Sequence, residues 1–172
     1  PNPGAVLAKL QPERTAPVPP YVSLPYKTQE GAGGPLQPGF LAGLLGAAYD
    51  PFWVLDDPNT PTFQVRNLAL PAELSRERFT ERSQLLTALD RQLKSQADRS
   101  LAAMNSFQQQ AFDLLTANAA RQAFDLSAES ANDRDRYGRN VYGQSVLLAR
   151  RLIEAGTRLV TMSWAPDANA TW

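Results

Sequence analysis

Arg134, Arg136, Tyr137 and Arg139, followed by Asn140 and Gln144, form the densest group of anion-binding side chains in the sequence. Guanidinium groups offer paired donors that match phosphate or sulfate oxygens, and amide and phenol groups add neutral ones. The group is expected at a helix start, where free backbone amides and the macrodipole already favour an anion. Arg136, Tyr137, Arg139 and Gln144 are therefore the anion-binding candidates. A structural explanation competes: the arginines bridge Asp133, Asp135 and backbone carbonyls while Tyr137 packs inward. The weight falls on this second explanation, because Asp133 and Asp135 offset most of the arginine charge.

The other chemistry-bearing positions are sparser. Ser145 sits in Gly143-Gln144-Ser145-Val146-Leu147, which lacks the second glycine of a Gly-x-Ser-x-Gly elbow, and the chain has no histidine to activate a serine. Asp167 is a lone carboxylate, and one ligand does not make a cation site. Ala111-Phe112-Asp113-Leu114 and Ala123-Phe124-Asp125-Leu126 share a pattern twelve residues apart, which turns the two carboxylates to different sides of a continuous helix. They read better as Phe112 and Phe124 in the core, Asp113 in solvent, and Asp125 or Ser127 capping the next turn. Histidine and cysteine are both absent, which excludes thiolate chemistry and imidazole bases within these 172 residues. No metal site is assigned to any of them.

Composition bounds the rest. With 43% hydrophobic residues the chain can bury the core of one ordinary domain. Seventeen basic residues balance seventeen acidic ones, so there is no electrostatic footprint for nucleic acid or an anionic membrane. No apolar run is long enough to span a bilayer, and the first residues lack a secretory-signal pattern. Pro1-Asn2-Pro3 is an improbable natural start, and the chain reads as a single incomplete domain, an internal piece of a larger protein.

Several elements must position these side chains. Thirteen of fourteen prolines lie between Pro1 and Pro71, and from Ala72 to Tyr137 there is neither proline nor glycine. Residues 1–71 are thus expected to be loops and short elements, 72–137 helical, and 138–172 a helix and strand ending at a site loop. In the first part, Gly4 to Leu10 suits a short helix and Pro19 to Pro25 an extended segment or edge strand. Gln29 to Gly39 suits a surface loop and Phe40 to Ala48 an apolar turn or helix. Tyr49 to Trp53 suits a loop anchored by aromatics or turned by Asp50, and Thr62 to Leu70 a strand with a bulge near Asn67. Ser75 is a cap for the helical part, which divides more naturally into two helices near Ser95 to Ser100 than it forms one. Its charged residues, from Arg76 to Arg99, alternate in sign as on a solvated face.

The last part has the clearest pattern. Asn140 caps a helix that Gly156 ends, with Tyr142, Val146, Ala149 and Ile153, beside Leu148 and Leu152, as its apolar face. Leu159 to Met162 then forms a short, buried strand. Ligands of open α/β sheets sit beyond the carboxyl ends of strands, so the Asp167 loop is where chemistry is expected.

Tyr49-Asp50-Pro51-Phe52, Gln110 to Leu115, Ala123 to Ser127, and above all Arg134-Asp135-Arg136-Tyr137-Gly138-Arg139 through Gly143-Gln144-Ser145 and Leu148 to Gly156 resemble a known family. The sequence is similar to the bacterial domain of unknown function 1501, a sulfatase-like group of the alkaline phosphatase superfamily, from Tyr21 to Trp164. The resemblance implies an α/β fold around a mostly parallel sheet and an ancestry in metal-dependent hydrolysis of sulfate or phosphate esters. It also implies a periplasmic or otherwise exported protein. A divalent metal is implied for the full-length parent, with ligands outside these residues: a Gly-Gly-x-Ser and acidic segment upstream, and a Trp-Asp-Thr-His downstream of which only Trp172 is present. On this reading Asp and His follow within a few residues of Trp172 in the parent reading frame. The alternative is a non-catalytic exported binding or structural protein on the same scaffold, with Ser75 to Ala123 as its partner surface. An autonomous helical domain with a proline-rich arm also suits the composition but leaves the terminal strand unpaired.

Overall fold

The computed structural model describes residues 1–11, 18–25, 39–65, 68, 75–93, 112, 114–115 and 117–163. It is an α/β structure whose chain divides into two compact units, Pro1–Val65 with Ala119–Trp172, and Arg66–Asn118.

In the first unit, helix α1 (Pro3–Leu10) opens with proline at its first position and with the Asn2 carboxamide accepting from the Gly4 amide at 2.8 Å. Strand β1 (Tyr21–Leu24) follows and is buried at every residue. The expected edge strand is instead the centre of a three-stranded parallel sheet of order β2-β1-β3. The flanking prolines cost it nothing, because they lie outside the four residues that pair. Strand β2 (Phe52–Trp53) occupies the segment expected to be an aromatic-anchored loop, with Val22 opposite Phe52 and Ser23 opposite Trp53. Asp50 does fix the approach, accepting from the Ala42 amide at 2.7 Å. Two short 3-10 turns, Gly43–Leu45 and Ala47–Tyr49, make up the expected apolar segment before it.

The strand expected from Thr62 is not found among the described residues. Turn bonds from the Thr60 amide to Asp57 and from the Phe63 amide to Thr60 coil the approach, and residues 61–65 pair with no strand. Alternation of polar and apolar residues is only half of a strand; the other half is a neighbour to pair with. Most of the Gln29–Gly39 segment lies outside the described residues.

Beyond residue 118 the unit closes with α3 (Asn118–Phe124), a 3-10 turn at Leu126–Ala128, α4 (Ala131–Tyr137), α5 (Val141–Glu154) and strand β3 (Leu159–Met162). Asn140 caps α5 as expected, its side-chain oxygen accepting from the Tyr142 and Gly143 amides at 3.1 and 2.9 Å. Gly156 then takes a positive φ of 107° at the turn into β3. That strand lies beside β1 in the register Tyr21 to Leu159 through Leu24 to Met162. It is half-buried rather than fully buried, since it has a neighbour on one side only among the described residues.

Alternation along parallel strands fixes the two faces of the sheet. The Gly4 backbone lies against the Tyr21 ring, so α1 covers the face that carries Tyr21 and Ser23. The Phe124 ring of α3 lies 5.8 Å from that of Phe52, which shares a face with Val22, so α3 covers the other. The Arg151 guanidinium ties α5 to α3 by donating to the Gln122 and Ala123 carbonyls, the last turn of that helix, where a cation also meets the negative end of the dipole.

The buried side of α5 overlaps the expected one only at Leu148 and Leu152. Gln144, Ser145, Leu147, Leu148 and Leu152 face inward, whereas Val146 and Ile153 are 42% and 49% exposed. The apolar spacing therefore found Leu148 and Leu152 of the buried stripe but set its centre too far round the cylinder, at Val146 and Ile153. The inward stripe contains two polar residues whose hydrogen bonds are satisfied internally, so hydrophobicity alone could not mark it. The Gln144 amide accepts from Arg134 and donates to the Arg134 and Gly138 carbonyls, and the Ser145 hydroxyl donates to Val141 at 2.6 Å.

The second unit contributes helix α2 (Arg76–Leu93). The Ser75 hydroxyl accepts from the Arg78 amide at 3.3 Å, as its capping role requires, and Glu77 sits in the first turn. Glu77, Arg78, Glu81 and Arg82 are exposed, as on a solvated face. The Phe79 and Phe112 rings stack with centroids 5.0 Å apart. The expected break at Ser95 to Ser100 lies outside the described residues.

Helices α4 and α5 meet so closely that a Cβ on Gly143 would fall 2.0 Å from the Tyr137 carbonyl oxygen. Both groups are backbone and neither can rotate away. Gly143→Ala is expected to lower unfolding stability by roughly 1–3 kcal/mol, read by chemical denaturation. An unchanged midpoint would mean that the corner is looser than this.

Candidate functional site at the carboxyl edge of the sheet

Only part of the cluster sits at a helix start, where Arg139 precedes the Asn140 cap of α5 and Gln144 lies in its first turn. Arg134, Arg136 and Tyr137 occupy the later part of α4, and Arg139 lies in the turn before α5. The start of α4 is closed by Ser130, whose hydroxyl accepts from the Asp133 amide at 3.0 Å and donates to its carboxylate at 2.7 Å. At the start of α5, Asn140 has already taken two of the free amides. The positive charges gather where the dipole of α4 is negative, a stabilising arrangement in its own right.

Most of the cluster's donors are engaged by neighbouring groups. Arg134 Nε donates to Gln144 Oε1 at 2.7 Å, and one Arg134 terminal nitrogen lies 3.4 Å from the Pro58 carbonyl. Arg139 pairs with Asp135 at 2.6 Å and donates to the Ala131 carbonyl at 3.3 Å. Tyr137 is half-buried beneath the Arg150 guanidinium, 5.8 Å from its ring centroid. Gln144 is fully buried, with all three hydrogen bonds made inside the corner. Arg136 differs: its side chain is exposed and makes no hydrogen bond or ion pair with the described residues.

Sequence reasoning missed Glu129. Its side chain is only 9% exposed and receives both Arg150, at 3.1 Å, and Arg151. This clamp fastens α5 to the segment after α3, and Arg150 also reaches Glu154 at 3.3 Å. Consecutive arginines in a helix that buries leucines were the available sign, because a half-buried guanidinium needs an acid nearby. The capping role expected of Asp125 is found: it accepts from the Ser127 amide at 2.9 Å. The Ser127 side chain, more than any other contact, holds the Asp125 carboxyl below the usual carboxylate range, with the amide and the nearby Arg151 acting in the same direction.

The corner lies at the carboxyl edge of the sheet. Fourteen helical residues extend about 21 Å and four strand residues about 13 Å. A short turn joins the end of α5 to the start of β3, so the start of α5 projects past the far end of the strand. Contact between Arg134 and Pro58, in the segment after β2, agrees with this placement.

The seam between β1 and β3 ends at the same edge. In the order β2-β1-β3 the chain leaves the central strand toward one neighbour and returns on the other side, which makes this seam the switch point of the sheet. Two buried hydroxyl oxygens, Ser23 Oγ and Ser163 Oγ, have no hydrogen-bond partner there. The Ser163 amide donates to the Leu24 carbonyl at 2.7 Å, so strand pairing carries on to that residue. Tyr21 lies on the same face, and burial pushes its phenol above the usual range while the Thr161 hydroxyl, 3.3 Å away, pulls the other way. Asp113 and Asp167 lie outside the described residues.

The described residues do not fit a resident metal. They gather no group of three or more His, Cys, Asp or Glu side chains that could hold one, and the chain has neither histidine nor cysteine to offer. No described helix is long and apolar enough to cross a membrane.

Among known proteins, one family model, described as Protein of unknown function (DUF1501), matches residues 1–172. No curated protein and no solved structure gives a match.

Two outcomes are expected from this geometry. Glu129→Gln removes the acid from between two arginines and should cost roughly 2–3 kcal/mol in a denaturation experiment. Because folding lowers the Asp125 pKa, its contribution is present above the ordinary carboxylate value and is lost as pH falls through the folded one. Asp125→Ala should therefore be about 1 kcal/mol less stable near neutrality, and the difference from the parent should shrink as the solution is acidified.

Proposed function

This chain belongs to the DUF1501 family, and from that premise we propose that it forms part of a sulfatase-like protein of the alkaline phosphatase type, exported and acting on sulfate or phosphate esters. The observation that carries the proposal is the open parallel sheet with its switch point between β1 and β3, where two buried hydroxyls lack partners. An open α/β sheet takes its ligands at such an edge.

On this reading the chain supplies scaffold and anion recognition. Arg136 is the residue best placed to meet an ester oxyanion, since its side chain is exposed and its donors are not consumed by the described residues. Arg139, Tyr137 and Gln144 act behind it: Gln144 holds the α4–α5 corner, and Arg139 is paired with Asp135. The divalent metal that the family resemblance implies is held by residues other than those described.

A second reading draws on α2, where Leu85 and Leu86 are 62% and 44% exposed. It makes the protein a non-catalytic binding or structural module, with the helical segment as its partner surface.

Turnover decides between them. The native full-length protein, supplied with manganese, zinc or calcium, is expected to release nitrophenol from 4-nitrophenyl sulfate or 4-nitrophenyl phosphate and to stop when a chelator is added. Arg136→Ala should raise KM roughly tenfold while changing kcat less. Failure to hydrolyse either ester with any of these metals would overturn the catalytic reading and favour the binding module.

A further inference from the structure

The two faces of the sheet differ in chemistry as well as in cover. On the α3 side, β1 and β3 present Val22, Leu24, Val160 and Met162, with Phe52 from β2. On the α1 side the same two strands present Tyr21, Ser23, Leu159 and Thr161, with Trp53 from β2, and Ser163 continues the alternation. Four hydroxyl groups thus line one side of one seam.

Only part of this strip is satisfied from within. The Thr161 hydroxyl meets Tyr21 Oη at 3.3 Å, whereas Ser23 Oγ and Ser163 Oγ, at the carboxyl end, meet nothing. These two residues are 0% and 5% exposed, so bulk water does not serve them either. A buried hydroxyl left unpaired costs about 1–3 kcal/mol, and an alanine at either position would avoid it. Two such costs at neighbouring positions of a single face favour a shared ligand over two packing faults.

The charge around the strip selects what that ligand is. Its hydroxyls are neutral, and among the described residues the charged group felt by Tyr21 is the carboxylate of Asp50. Arg134, Arg139, Arg150 and Arg151 are engaged elsewhere. An oxyanion drawn against Ser23 and Ser163 would give up its hydration without a counter-charge from the described residues, which is far more costly than the same transfer of an alcohol. A neutral hydroxyl, moreover, both donates and accepts, as the serine hydroxyls do.

We propose that the Ser23 and Ser163 end of the β1–β3 seam is a subsite for a neutral polyol, binding two of its hydroxyl groups. The inference rests on the reading given above, in which an ester approaches this edge, and it assigns the subsite to the alcohol side of that ester. The charged side is left to Arg136.

Binding of myo-inositol and of methyl glucoside to the native full-length protein, measured by calorimetry and by the rise in melting temperature, tests the assignment. At least one polyol is expected to bind, and Ser23→Ala combined with Ser163→Ala should weaken it at least tenfold. The unliganded variant should melt no lower than the parent, because it loses two unpaired groups. Ser163→Ala alone provides a second folded variant with an intermediate effect. The assignment is overturned if neither polyol binds, or if binding survives the double substitution. It is equally overturned if inorganic sulfate is the ligand whose binding the substitutions abolish, or if the unliganded variant is destabilised, as loss of a trapped structural water would require. Ester hydrolysis without polyol binding removes the subsite alone; polyol binding without hydrolysis removes the catalytic reading and keeps the subsite.

Discussion

Parallel pairing of β1 with β3 is the constraint on which the first unit depends. It joins residues 21–24 to residues 159–162, and the bonds around it extend the same union. Thr157 donates its hydroxyl to the Pro19 carbonyl at 2.9 Å, and the Arg158 and Leu159 amides both turn to Pro20. Because parallel strands run in one direction, this pairing also decides that their carboxyl ends open on a common edge. Everything functional in the account follows from that edge.

The α4–α5 corner is the second fixed point. A glycine without room for a Cβ, an asparagine cap and a fully buried glutamine hold two helices together at backbone contact. The arginines and the tyrosine there serve this purpose first. Arg134 is spent on Gln144 and Pro58, Arg139 on Asp135, and Tyr137 lies under Arg150. A dense basic motif can be mostly architecture and still leave a cation, here Arg136, exposed and unpaired among the described residues.

The sequence made some of this legible and hid the rest for physical reasons. Caps were readable because they are local: Ser75, Asp125, Asn140 and Gly156 act within a few residues of themselves. The helix and strand at the end of the chain were readable from length and turn chemistry. The inward side of α5 was readable only at Leu148 and Leu152, since the rest depends on Gln144 and Ser145 finding partners that no periodicity reveals. Long-range pairing hid the role of β1, which proline bracketing suggested to be an edge, and of Phe52–Trp53, which is a strand only because β1 lies beside it. The same limit made Thr62 to Leu70 look like a strand, although its described residues pair with no described strand. At the site, Arg136 and Gln144 could be named from the motif, whereas the unpaired hydroxyls of Ser23 and Ser163 emerged only when the strands were side by side.

The most direct test of the carboxyl-edge account is a map of backbone amide chemical shifts as 4-nitrophenyl sulfate is added to the full-length protein. The account requires the largest changes at Ser23, Leu24 and Ser163 and along the corner from Arg134 to Gln144. Changes confined to helix α2, with the ends of β1 and β3 unmoved, would contradict it.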